Sequence, residues 1–198
     1  NSQPETTSTT ARSGDDLAAF LYTSGTTGRS KGAMLTQDNL LSNAEVLKDY
    51  WAFTRADVLL HALPIFHTHG LFVASNVMLL CGGAMVFMPS FTREAAAHMR
   101  LFISGSAPML SETHEQFESL TGQRILERYG MTETNMNTSN PYEGARKAGT
   151  VGFALPGVDA KICDPESGAT LPQGEIGVIE VRGPNVFKGY WKMPEKTR

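Results

Sequence analysis

At 198 residues, 41% of them hydrophobic and 19% charged, the chain has the composition of a globular domain with a sizeable core. Lys and Arg number 17 against 20 Asp and Glu, a formal charge of -3, so no basic field exists to hold nucleic acid or an anionic membrane surface. Any phosphate recognition must therefore be local.

In chain order, residues 1–16 are polar, rich in Ser and Thr, and read as a linker or loop. Leu17 to Tyr22 is a short apolar run that predicts a strand. It leads into Tyr22-Thr23-Ser24-Gly25-Thr26-Thr27-Gly28-Arg29-Ser30-Lys31-Gly32, which packs three glycines, two cations and a row of Ser and Thr hydroxyls into eleven residues. Glycines let a backbone approach a ligand closely, and consecutive N–H groups then form an anion-binding nest. This is not the Walker loop, because Ser30 stands where that motif places its second glycine.

A helix follows, capped by Thr36, with Leu40, Ala44, Leu47 and Trp51 on one face. Val58 to Leu63 predicts a buried strand stopped by Pro64. The order strand, loop, helix, strand argues for an α/β unit with parallel pairing. His67 and His69 point the same way if the segment is extended, and could ligate a metal, although no third ligand stands at supporting spacing. The alternative is one exposed histidine and one satisfied in a turn.

Gly70 to Thr92 carries no charge and is long enough to span a bilayer, but Ser75, Asn76, Gly82, Gly83 and Pro89 interrupt it. A helix from Leu71, a turn at Gly82-Gly83 and a strand Ala84 to Met88 fit better, so no membrane span is expected. Met99 to Pro108 reads as a strand entering a small-residue turn. Ser111 then caps a helix that Gly122 ends. Arg124 to Gly130 is a further strand, followed by Met131-Thr132-Glu133-Thr134. From Gly149 the character is β: Val151 to Gly157, Val158 to Ile162 and Glu175 to Arg182, with a turn at Asp164 to Gly168. The aromatic segment Asn185 to Trp191 reads as packing. Cys81 and Cys163 form no spaced motif and read as buried free thiols, which fits a reducing compartment, cytoplasm or organelle matrix.

Four strings in order resemble the signatures of the adenylate-forming enzymes, the superfamily of acyl-CoA synthetases, luciferases and nonribosomal adenylation domains. They are Thr23 to Gly32, Pro64 to Gly70, Gly105-Ser106-Ala107-Pro108 and Glu127-Arg128-Tyr129-Gly130-Met131-Thr132-Glu133. The resemblance implies an α/β fold with mostly parallel sheets flanked by helices and a β-rich C-terminal part. It implies that Thr23, Ser24, Gly25, Thr26, Thr27, Gly28 and Lys31 hold the phosphates of ATP. Gly105 to Pro108 and Glu127 to Thr132 would complete the nucleotide site, with the Tyr129 ring framing adenine. Thr27 and Glu133 would hold Mg²⁺; a hard carboxylate oxygen suits that ion. Lys31, His69 and Glu133 would be the catalytic residues, and His69, Ser75, Arg100 and Met131 would line the acid.

Within the superfamily, His67 to Asn76, Arg100 to Pro108 and Glu127 to Asn137 are similar to malonate–CoA ligases. A dicarboxylate needs a cation for its far end, because a buried unpaired charge is costly. Arg100 is the candidate; the plainer alternative is a strand-edge surface cation. The implied reaction joins a small dicarboxylate to ATP as an acyl-adenylate, then passes the acyl group to coenzyme A.

The resemblance places residues 17–148 in the nucleotide- and acid-binding part of the large domain and 149–198 in its β-rich part. The ribose-binding signature and the C-terminal domain with its catalytic lysine have no counterpart here, and the chain looks shortened between Phe91 and His98. Weak nucleotide binding without complete turnover is the expectation for these residues alone. Two alternatives remain: another acyl-CoA synthetase or adenylation domain, and a nucleotide-binding fragment without turnover. The sequence does not specify an oligomeric state.

Overall fold

The computed structural model describes residues 8–23, 30–89 and 96–197. Strand β1 (Leu17–Thr23) turns back on β2 (Lys31–Thr36), antiparallel, with Thr23 opposite Lys31. The two ends of the glycine-rich segment are thus cross-strand neighbours. Strand β2 is an element that the sequence reading folded into the loop. Its apolar run, Ala33 to Leu35, is too short to show a period, yet Ala33 and Leu35 are fully buried.

Helix α1 (Gln37–Tyr50) follows directly. Thr36 caps it: its hydroxyl accepts from Asn39 N–H at 3.2 Å, and its own N–H donates to Asn39 Oδ1 at 3.0 Å. Strand β3 (Val58–His61) then leads to a π-helical turn (His69–Ala74) that continues as α2 (Ser75–Cys81). Gly82 ends α2 in the left-handed region, φ 69°, and β4 (Ala84–Phe87) returns parallel to β3. Strand β5 (Ile103–Ser104) pairs in parallel with β6 (Leu126–Met131), with α3 (Ser111–Thr121) between them. Ser111 is the first residue of α3, and the cap position, Leu110, offers no side-chain bond.

Next come β7 (Asn135–Ser139) and β8 (Phe153–Ala154), antiparallel in series on β6. Strands β9 (Asp159–Cys163) and β10 (Val178–Arg182) form a separate antiparallel pair. Finally β11 (Gly189–Tyr190) adds to the free edge of β2. The mixed α/β architecture is as expected, but the pairing is not mostly parallel. Only β3–β4 and β5–β6 are parallel among the described residues. Those two pairs enclose a helix, which parallel neighbours need; elsewhere the connections include short hairpins, which impose antiparallel pairing.

The core lies where α1 and α2 meet β6 and β7. Ala44, Leu47, Trp51, Val73, Val77, Leu126, Met136 and Leu155 are buried together. Polar bonds register the layers. Trp51 Nε1–H donates to Ser139 Oγ at 3.0 Å. The Asn43 amide makes two bonds to the Met136 backbone, 2.9 and 3.2 Å, as a neighbouring strand would. Cys163 is buried and Cys81 half-buried, both free. No helix among the described residues is long and apolar enough to cross a membrane.

Candidate active site

Glu133 sits at the tip of the β6–β7 hairpin, in the three-residue loop between Met131 and Asn135. Thr134 N–H closes the turn onto Met131 C=O at 3.1 Å, and Asn135 takes a positive φ of 50°, a conformation that asparagine tolerates. Gly130 permits the tight crossing behind it, because a Cβ there would collide with the Asn135 carbonyl. The tip is then tied down by the segment before β11. Phe187 N–H donates to Glu133 C=O at 2.7 Å, and the buried Asn185 amide donates to Thr134 C=O at 2.6 Å. Asn39, on α1, in turn holds the carbonyls of Pro184 and Val186 at 2.8 and 2.9 Å.

The Glu133 carboxylate is 8% exposed, and the Tyr190 hydroxyl donates to its Oε1 at 2.6 Å. Lys31 Nζ lies 4.6 Å from the centre of the same tyrosine ring. Lys31 and Glu133 therefore share one neighbour, Tyr190, although they lie far apart along the chain. The carboxylate offers the hard oxygen that a phosphate-bound Mg²⁺ takes, one or two carboxylates with substrate oxygens, and the Lys31 ammonium offers charge for the phosphates themselves.

A second cluster adjoins the first. His69 opens the π-helical turn; its Nδ1 is 2.6 Å from Arg128 Nη2 and 2.7 Å from Ser106 Oγ. A guanidinium can only donate, so Nδ1 is unprotonated and the ring proton sits on Nε2. Burial first, then the Arg128 charge and His67, pushes the His69 pKa down to about 3. Arg128 is 4% exposed, burial pushes its pKa down to about 9, and its Nε and Nη1 have no partner. No acidic side chain pairs with it among the described residues. Ser106 takes a left-handed φ of 74°, and a Cβ on neighbouring Gly105 would strike the Arg128 guanidinium, so this turn is shaped around that cation. Thr68 Oγ1 donates to Thr132 Oγ1 at 3.4 Å and joins the two clusters.

Several expected residues lie elsewhere. Arg100 does not face His69. Its Nε pairs with Asp57 Oδ1 at 2.6 Å, Nη1 and Nη2 donate to the Trp51 and Ala52 carbonyls, and its plane lies over Phe53 and Tyr142. A guanidinium so engaged pins the end of α1 to β3. The Glu127 carboxylate does not face the cleft either: it accepts from the buried His114 Nδ1 at 3.0 Å and from Gly149 N–H at 3.3 Å. Strand alternation explains this, since neighbours 127 and 128 on β6 must point to opposite faces. Ser75 Oγ donates to Gly70 C=O at 2.9 Å, which His61 Nε2 also bonds at 2.9 Å; it supports the π-turn. His67 and His69 are not extended. They enter the turn with rings stacked 6.2 Å apart, and no cluster that could hold a metal between such ligands exists among the described residues.

Tyr129, Gly130 and Met131 line the strand end, with the Tyr129 hydroxyl 3.5 Å from Met131 Sδ. Ala107 and Pro108 are exposed on the turn beyond Ser106. Ser24, Gly25, Thr26, Thr27 and Gly28 lie outside the described residues. Tyr190 is the residue that the sequence reading missed: an aromatic after a glycine carries no sign of what its hydroxyl meets.

The family model described as "AMP-binding enzyme" matches residues 1–100 and 92–191. The chain belongs to the AMP-binding enzyme family. It is 37% identical to malonate–CoA ligase of Arabidopsis thaliana, over 93% of this chain and 38% of that protein. It is 32% identical to the human mitochondrial malonate–CoA ligase ACSF3, over 91% of this chain and 43% of that protein. Among solved structures, ATP-bound MatB from Rhodopseudomonas palustris superposes with a TM-score of 0.92 at 58% identity, covering 98% of this chain and 44% of that one. A malonyl-CoA ligase with methylmalonyl-CoA and AMP bound gives 0.84 at 37% identity, covering 93% and 47%. The chain thus spans less than half the length of these relatives. The Arabidopsis alignment runs over 235 positions yet uses 93% of 198 residues, so about fifty positions of the relative face no residue here. The two family matches overlap at residues 92–100, where the sequence looked shortened.

Proposed function

We propose that this chain carries the nucleotide- and acid-binding part of an ATP-dependent malonate–CoA ligase. The substrate carboxylate attacks the α-phosphorus of ATP, forming acyl-adenylate and releasing pyrophosphate; the thiol of coenzyme A then displaces AMP. Lys31 supplies positive charge to the phosphates, and Glu133 holds Mg²⁺, with Thr27 as a second oxygen donor. When bound there, the ion would supply charge neutralisation for the phosphate oxygens. Neutral His69 presents its Nε2–H to the acid and, with the Ser106 hydroxyl, fixes the direction of Arg128.

The observation that carries the substrate class is Arg128. It is a buried guanidinium with two unpartnered nitrogens and no acidic side chain paired with it among the described residues. Such a charge is unfavourable until an anion meets it, and a guanidinium grips a carboxylate through two parallel bonds. A fatty acid has only the carboxylate that reacts; a dicarboxylate has a second one for Arg128. Arg128 thus takes the role that the sequence gave to Arg100. The test is malonate-dependent ATP–pyrophosphate exchange by the full-length protein. Exchange with malonate and not with butyrate supports the reading; equal exchange with both refutes it.

A second reading is nucleotide binding without turnover, favoured by the share of the relatives that the chain spans. Mg²⁺-dependent ATP binding with no exchange distinguishes it.

A further inference from the structure

Strand β11 does more than close a sheet edge. Its pairing sets Tyr190 opposite Ala33, which makes Lys31, two residues along β2, its diagonal neighbour within reach of a long side chain. Trp191 N–H donates to Gly32 C=O at 2.8 Å, which extends this edge toward Lys31. The ring of Tyr190 is held edge-to-face by Phe187 at 4.8 Å, and Phe187 N–H holds the Glu133 backbone. The hydroxyl then reaches Glu133 Oε1. One two-residue strand therefore touches both Lys31 and Glu133.

We infer that Tyr190 is a positioning residue for the metal–phosphate site, acting through Glu133 with its hydroxyl and through Lys31 with its ring. The hydroxyl bond fixes the carboxylate rotamer and occupies Oε1, so that Oε2 is left for the ion. Partners that hold a metal ligand in place commonly affect metal affinity ten- to hundred-fold. The ring face holds the Lys31 ammonium by its quadrupole, which restrains a flexible four-carbon stem before the phosphates arrive. The two contacts are separable: one belongs to the oxygen and the other to the ring. This inference rests on the nucleotide-binding reading above.

The experiment measures ATP binding to the full chain by calorimetry across Mg²⁺ concentrations, together with Mn²⁺ binding by electron paramagnetic resonance and thermal melting. Tyr190→Phe keeps the ring and loses the hydroxyl. It should need about ten-fold more Mg²⁺ for the same ATP affinity, and bind Mn²⁺ correspondingly more weakly. Its affinity for ATP without metal should be unchanged. Tyr190→Leu should lose the metal-free affinity as well. Wild-type metal dependence in Tyr190→Phe overturns the inference and leaves the nucleotide reading standing. If the wild-type chain binds no ATP, both fall. A drop in melting temperature with no change in metal dependence assigns Tyr190 to packing alone and also overturns the inference.

Discussion

Arg128 Nη2 lies 2.6 Å from His69 Nδ1, so a cation donates to a ring nitrogen that cannot itself be protonated while the contact holds. The pair comes from two elements that the chain separates widely, the π-helical turn and β6, and it sets both the charge and the tautomer of this part of the candidate site.

Acid should therefore destabilise the fold through His69. The folded side chain stays neutral down to about pH 3, whereas the unfolded chain takes up that proton below its ordinary 6.5. Between those values the unfolded state binds more protons, so stability falls as pH drops, by up to about 1.4 kcal/mol per unit. Urea unfolding between pH 7 and pH 5 should show a steeper loss for wild type than for His69→Gln. Parallel losses would contradict the assignment.

Arginine substitutions should separate binding from stability. Arg128→Gln removes the cation proposed for the far carboxylate, and malonate-dependent exchange should fall at least about a hundred-fold with ATP affinity retained. Arg100→Gln breaks a half-exposed pair with Asp57 and two bonds to carbonyls. It should cost about 1 kcal/mol of stability and spare the malonate KM. A raised malonate KM in Arg100→Gln, with Arg128→Gln unaffected, would reverse the two roles.

Gly130→Ala should act at a distance of one turn. Its Cβ would meet the Asn135 carbonyl, so the hairpin must open. We expect about 1–3 kcal/mol lost in thermal or urea unfolding, and weaker Mg²⁺-dependent ATP binding because Glu133 rides on the tip. Unchanged values for both would show that the hairpin tolerates the opening.

Much of the candidate site is legible in the sequence because its residues are local. Glu133, His69 and the Ser106 turn each stand in short strings whose order carries the resemblance. The Thr36 cap and the Leu40, Ala44, Leu47, Trp51 stripe are equally local, and α1 follows them. What was hidden depends on pairing across the chain. Strand β11 joins β2 from more than 150 residues away, and no local pattern announces that Tyr190 will meet Glu133. The sequence reading places Arg100 on the acid and Arg128 in the nucleotide site, and only the three-dimensional partners separate a guanidinium pinned by Asp57 from a buried one that meets no acid. One signal was present and unused. Once residues 124–130 are read as a strand, Glu127 and Arg128 must face opposite ways, so both side chains cannot serve the same cleft.

The central claim is that Lys31 and Glu133 grip one triphosphate from two sides. A double-mutant cycle tests it, with Mg²⁺–ATP affinity measured for wild type, Lys31→Ala, Glu133→Gln and the pair. The account predicts that each single change weakens binding and that the double change costs clearly less than their sum, because both act on one bound ion–phosphate group. Strict additivity, or a Glu133→Gln variant with an undiminished Mg²⁺ requirement, would contradict it.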